Sequence, residues 1–221
     1  MSAESQQDCD ETLAKCGIHI QKALTGEIGG ILFQKRANVL DFPRREFTRL
    51  HSPYRLVPEV YLSLDLFDSF CPPERHLEEL REELPPGASI GTYLHALGCY
   101  CKMRSTEFSR LCAALTVPVT PHPGKETVDL ILICFARIKT TAQELNLELW
   151  FELLHAVATH EHSHAARACK YDGPPEVLRA EETVAQWETY MFLLAEKQID
   201  SIEAMKRLMP KQPRCYQIPI P

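Results

Sequence analysis

The sequence predicts an α+β fold that is mostly helical, with a small sheet near the N-terminus. From about residue 74 onward, apolar residues recur at the spacing of amphipathic helices. Segment 60–66 instead alternates apolar and polar residues with a period of two, as a half-buried strand does. Clusters of prolines between such segments indicate where the chain turns. We therefore expect strands in the first third of the chain and helices in the rest.

The elements follow in this order. Two glycines precede the apolar run 31–33, and the alternating segment 60–66 follows it, so both are expected strands of an N-terminal α+β region, 1–88. The second region, 89–221, is expected to be helical and either forms its own domain or continues the first. Its predicted helices are two short ones within 89–115, then 126–141, 146–170, 176–197 and 201–208.

Composition and charge exclude several classes of protein. The 221 residues are 45% hydrophobic and 24% charged, which is typical of globular domains and argues against disorder. A formal net charge of −6 disfavours nucleic acid or an anionic membrane as the main partner. The longest apolar run, 130–136, is far shorter than the ~20 residues that span a bilayer. We expect no membrane span and no nucleic-acid partner.

Cysteine usage indicates a reducing compartment. The nine cysteines are odd in number and include no CxxC pair, and a chain of this length needs no disulfides in order to fold. Residues 1–7 are polar and include Glu4, unlike the basic and apolar start of a secretory signal. We therefore expect reduced thiols in a cytoplasmic protein.

Four of the nine histidines lie within ten residues of one predicted helix, at positions 155, 160, 162 and 164. His160, Glu161 and His164 form an HExxH pattern. Residues i and i+4 share one helix face, so both imidazoles can bind one ion at the ~2.0–2.1 Å of a zinc–nitrogen bond. Glu161 is then placed to take a proton from water at that ion, as a general base. The pattern predicts a zinc site with a catalytic glutamate.

A catalytic zinc site needs a third protein ligand and an open position. The turn at 171–175 allows the next helix to fold back beside the first, and that helix carries Glu181 and Glu182. Ala185, about one turn later, would let the two helices approach closely. On spacing alone, either carboxylate can serve as the third ligand.

HExxH followed by a glutamate in a second helix resembles the gluzincin zinc metallopeptidases. The string Glu-Glu-Thr-Val-Ala at 181–185 is similar to the EELVA-type segment of ArdC-like zincins and, more loosely, to the ExEA segment of ImmA/IrrE-type peptidases. The resemblance covers about 150–196 and implies a zincin-like core, Zn²⁺ as cofactor and Glu182 as third ligand, with Glu181 in reserve. It also implies hydrolysis of a peptide bond in an intracellular protein or peptide substrate. Gln186 stands where related enzymes often have an acidic residue or Asn that orients a ligand histidine.

Other residues near the motif receive lesser roles. His162 points away from His160, so we expect it to face solvent or to lie behind the ligands, and we expect His155 to be structural. Tyr171 or Tyr190 could donate a hydrogen bond to a developing oxyanion. Strand 60–66 could offer an edge to an extended substrate.

The sequence is compatible with three other functions. A zincin-like module without catalysis, used for binding or regulation, is the main alternative. A di-iron site is suggested by two ExxH patterns, at 152–155 and 161–164, but such sites take them from different helices. Segment 90–117 has the rhythm of a DNA-binding helix-turn-helix, yet the three prolines in 118–123 cannot supply the backbone donors of a recognition helix.

Overall fold

The computed structural model describes residues 59–71, 94–115, 127–148, 150–167 and 175–221, together with 7, 11, 57, 85 and 86. These residues form a mostly helical α+β fold with a small sheet, as the sequence predicts. The strands are β1 (Glu59–Leu62), β2 (Gly98–Arg104) and β3 (Thr127–Cys134). The helices are α1 (Leu64–Phe70), α2 (Leu94–Leu97), α3 (Ser105–Ala114), α4 (Phe135–Glu144), α5 (Trp150–Ala166), α6 (Pro175–Ala195) and α7 (Ile199–Leu208), followed by 3-10 turns at Met209–Lys211 and Arg214–Tyr216.

The sheet has the strand order β1-β3-β2. β1 runs parallel to β3, with Val60 beside Leu132, and β2 runs antiparallel to it, with Tyr100 beside Ile131. Only β1 comes from 1–88, so the sheet joins the two regions that the sequence separates. β1 ends at Leu62 and all four of its residues are buried, so the prediction of a half-buried strand through residue 66 is wrong. The expected strand at 31–33 lies outside the described residues.

Two predicted helical segments are corrected by β2 and β3. Residues 127–134 form the central strand, and only Phe135–Glu144 is helical. From its sequence, a short continuous apolar run fits a buried strand and a buried helix equally well. The Leu-Ile-Leu-Ile run at 130–133 forms a strand because β1 and β2 pair with it, one on each side. Segment 89–115 contains β2 between α2 and α3, which also rules out the helix-turn-helix interpretation of 90–117.

The predicted helices 146–170, 176–197 and 201–208 are confirmed as α5, α6 and α7, with shifted ends. α4 ends at Glu144 in a hydrogen-bonded turn, and α5 begins at Trp150. Asn146 adopts a left-handed conformation with φ 52°, and the Leu147 amide donates to the Ala142 carbonyl over 2.9 Å. Asn tolerates this conformation better than most residues do.

α5 is the central helix. It packs against β2, β3, α4, α6 and α7, and all twelve residues from Leu153 to His164 are buried. The main apolar core combines the sheet with α4 and the first half of α5. A second cluster joins α6 and α7 to Ala156 of α5 and to Ile218, which follows the last 3-10 turn. The second half of α5 is polar although it is buried, so each polar side chain there needs a partner.

Two further expectations concern the whole chain. The cysteines that the structure describes all carry free thiols: Cys71, Cys99, Cys101, Cys112, Cys134 and Cys215. In the same part of the chain, each helix is too short or too polar to cross a membrane.

Candidate metal centre

Three predicted side chains meet between α5 and α6. His160 and His164, one turn apart on α5, direct their Nε2 atoms at Oε2 of Glu182 on α6, at 3.0 and 3.1 Å. The two Nε2 atoms are themselves 3.0 Å apart. Among the described residues, this is the one group of three or more histidine, cysteine or carboxylate side chains close enough to hold a metal ion.

These three atoms, Nε2 of His160, Nε2 of His164 and Oε2 of Glu182, are called the donor triangle. Their arrangement fits a divalent ion better than it fits hydrogen bonds alone. An imidazole nitrogen carries at most one proton and an ionised carboxylate carries none, so three mutual contacts cannot all be hydrogen bonds. In at least one of the three contacts, two lone pairs or two N–H protons must therefore point at each other, and they repel. Ligands of a tetrahedral zinc ion with ~2.05 Å bonds lie about 3.3 Å apart, close to the three separations observed. A shared cation would therefore remove a repulsion that the side chains cannot relieve by themselves.

A metal ion requires a neutral imidazole and an ionised carboxylate as ligands, and the surroundings of His160 and Glu182 favour these forms. His160 is 1% exposed and Glu182 is 4% exposed. Burial lowers the pKa of His160 to about 4, because a charged imidazole loses its hydration there; His160 is therefore neutral at pH 7, as a ligand must be. Burial alone would raise the pKa of Glu182, but electrostatic attraction to His164 and hydrogen bonds with His160 and His164 outweigh it and hold that pKa well below its usual value.

The tertiary structure separates Glu182 from Glu181. Glu181 turns toward Arg167, whose Nε donates to its Oε2 over 3.0 Å. The same guanidinium donates to Glu188, which also accepts a hydrogen bond from Ser163. This network joins the end of α5 to α6 beside the site. Glu181 thus holds the two helices together through Arg167, whereas Glu182 contacts His160 and His164.

Glu161 lies on the sheet side of α5. Its Oε2 accepts a hydrogen bond from the Tyr100 amide of β2 over 2.7 Å, and the side chain is 1% exposed. Gly98 makes this approach possible, because a Cβ there would lie 2.9 Å from Cγ1 of Val157 and 3.0 Å from Cγ of Glu161. The carboxylate is thus oriented by a main-chain amide, and Glu161 directly follows the candidate ligand His160 in sequence.

His162 does not face solvent, so that part of its prediction is wrong. It is 5% exposed, and its Nε2 donates to Oε1 of Glu59 in β1 over 2.7 Å. The Tyr61 hydroxyl donates to the other oxygen of Glu59 over 2.6 Å. Sequence reasoning missed Glu59, although a carboxylate at the start of a buried strand requires a partner.

His155 is structural, as expected. Its Nδ1 lies 3.1 Å from the Ser201 hydroxyl and joins α5 to α7. Burial lowers its pKa to about 4, against a smaller opposite effect of Glu59. The ExxH pattern at 152–155 therefore contributes no ligand to the donor triangle.

The residues expected to assist the site have different positions. Tyr190 packs in the second apolar cluster beside Trp187, with ring centroids 6.0 Å apart, and Tyr171 lies outside the described residues. Gln186 is 1% exposed, but it does not bond His160 as the resemblance implies, because Nδ1 of His160 has no hydrogen-bond partner among the described residues. No sequence pattern singles out Tyr216, whose ring centroid lies 5.7 Å from that of His160.

Comparison with protein-family models, curated proteins and solved structures finds no match for this chain.

Proposed function

We propose that this protein is a zinc-dependent metallopeptidase that hydrolyses a peptide bond in an intracellular protein. The observation that carries the proposal is the buried triangle of His160, His164 and Glu182, with Nε2 and Oε2 atoms 3.0 to 3.1 Å apart. Two imidazole nitrogens and one carboxylate oxygen are a donor set that suits Zn²⁺. Free thiols at the described cysteines support a reducing, cytoplasmic site of action.

Each residue has a distinct role in this proposal. His160, His164 and Glu182 hold the ion, which, when bound, polarises the substrate carbonyl and lowers the pKa of a water molecule. Glu161 takes the proton of the attacking water and passes it to the leaving amine. The Tyr100 amide, 2.7 Å from Oε2 of Glu161, restricts the orientation of that carboxylate before the proton moves.

Metal analysis of the purified protein, combined with three matched substitutions, tests the proposal. The parent should contain one zinc per chain and cleave unfolded casein. Glu161→Gln should keep the zinc and lose cleavage, whereas Glu182→Gln should lose the zinc. Glu181→Gln is the control, because Glu181 pairs with Arg167, and it should keep both properties.

Two results would contradict the assignment. Cleavage by Glu161→Gln at the parental rate would refute the peptidase mechanism. A parent that binds no zinc, or a Glu181→Gln variant that loses zinc while Glu182→Gln retains it, would refute the metal centre itself.

A zincin-like binding module without catalysis is the second candidate. The observation that favours it is burial: Glu161 and the three donor residues are each at most 4% exposed, whereas a catalytic site must admit substrate. A partner co-purified with Glu161→Gln separates the two functions. The parent should cut that partner if it is a peptidase, and should release it intact if it is a binding module.

A further inference from the structure

Among the described residues, the imidazole of His160 has no hydrogen-bonding anchor of the kind usual for a metal ligand. A ligating histidine normally donates its other ring N–H to a carboxylate, a carbonyl or a water, which fixes the orientation of the ring. Nδ1 of His160 is buried and has no hydrogen-bond partner among the described residues. Gln186, which the resemblance would place in this role, forms no such bond either. Within the described part of the chain, the contacts that can orient this ring are therefore packing contacts.

Two rings pack against His160. The His164 ring meets it edge to face, with centroids 4.7 Å apart and an interplanar angle of 78°. The Tyr216 ring lies closer to parallel, with centroids 5.7 Å apart and an angle of 34°. His164 is itself a candidate ligand, so Tyr216 is the contact that comes from outside the donor triangle. Offset aromatic packing of this kind restricts the orientation of both rings.

Tyr216 lies in the C-terminal segment 209–221, and this segment is bonded to the helices around the site. The Thr183 hydroxyl, on the residue after Glu182, lies 2.9 Å from the carbonyl oxygens of both Cys215 and Arg179, which share its one proton. Lys206 of α7 donates to the Pro221 carbonyl oxygen over 2.6 Å, and Ile218 is buried in the second apolar cluster. Tyr216 itself is completely buried. The segment thus has little freedom to withdraw the ring.

We propose that Tyr216 is a positioning residue for His160, so that segment 209–221 forms part of the metal centre. The inference rests on the proposed metal site. Packing by Tyr216 takes the place of a hydrogen bond at Nδ1, for which the described residues offer no partner, and it holds Nε2 toward Glu182 before the ion arrives. Removal of the ring should therefore weaken metal binding through the orientation of His160, although Tyr216 donates nothing to the ion.

Zinc affinity, measured by competition with a chromophoric chelator, tests this inference. Tyr216→Leu should weaken zinc binding about 10- to 100-fold, the range observed when residues that orient metal ligands are changed. Tyr216→Phe keeps the ring and should stay within about threefold of the parent. The d–d absorption spectrum of the Co²⁺-loaded protein should change in Tyr216→Leu and remain parental in Tyr216→Phe.

Phe67→Leu is the matched control, because Phe67 is equally buried in the main apolar cluster and is not among the site residues. It should lower the stability of the metal-free protein and leave zinc affinity unchanged. Parental zinc affinity in Tyr216→Leu, or an equal loss in Phe67→Leu, would overturn the positioning role. If the parent binds no zinc at all, the proposed metal site fails instead.

Thr183→Val provides a second test should Tyr216→Leu fail to fold. This substitution removes the hydroxyl that contacts the Cys215 carbonyl but keeps the size of the side chain. It should weaken zinc binding several-fold, whereas Thr183→Ser, which keeps the hydroxyl, should not. Equal zinc affinities for the Val and Ser variants would overturn the inference in that case.

Discussion

A single methyl group added at Gly98 tests how closely α5 must lie against β2. In Gly98→Ala the new Cβ would lie 2.9 Å from Cγ1 of Val157, 3.0 Å from Cγ of Glu161 and 3.3 Å from Oε1 of Glu161. Val157 cannot turn aside, because a β-branched side chain in a helix has one strongly preferred rotamer. Glu161 is restrained by its bond to the Tyr100 amide. Either β2 moves away from α5 or the carboxylate leaves its position.

The expected cost follows from overpacking, which typically destabilises a core by about 1–3 kcal/mol. Gly98→Ala should lower the free energy of unfolding by that amount, measured by urea denaturation of the metal-free protein. Zinc affinity should stay within about threefold of the parent, because the donor triangle lies between α5 and α6 rather than against β2. Casein cleavage should fall, because Glu161 is displaced.

Val157→Ala supplies the control for this prediction. It opens space where the new methyl group clashes, so the double variant should be less destabilised than the sum of the two single changes. Additive effects, agreeing within about 0.5 kcal/mol, or a Gly98→Ala variant as stable as the parent, would refute the argument that this contact is close-packed.

Two further predictions concern the buried polar pairs of α5. Glu59→Gln should destabilise the protein by about 1–3 kcal/mol, because it removes the carboxylate that His162 and Tyr61 both contact. A double-mutant cycle with His162→Phe should show that the two residues are energetically coupled. Additive effects would contradict the pairing. His155→Gln should reduce the loss of stability in acid. The folded pKa of His155 is about 4 and lies below the ordinary value of 6.5, so the unfolded chain binds the extra proton between these values and stability falls as pH drops through that window. A shift from 6.5 to about 4 limits the effect to about 3.4 kcal/mol. Urea denaturation of the metal-free protein at pH 7, 5.5 and 4 measures it, and identical pH profiles for parent and variant would refute it.

The helices around the site could be predicted from sequence because their information is local. His160 and His164 are four residues apart, and the apolar residues before them indicate a helix, so a shared face follows from helix geometry alone. The second helix and its glutamates were predicted for the same reason. The strand at 127–134 was misread as helical, because an apolar run has no periodicity that distinguishes a buried strand from a buried helix.

The sequence by itself determined the donor types, their spacing and the mostly helical α+β class of the fold. Only the tertiary structure decided between Glu181 and Glu182, because Arg167 comes from the other helix and engages the first of them. It also decided that His162 is buried against Glu59 and that Tyr216 packs on His160. These contacts join residues 103 and 56 positions apart, and no local pattern encodes them, because burial and pairing depend on which surfaces meet when the chain folds.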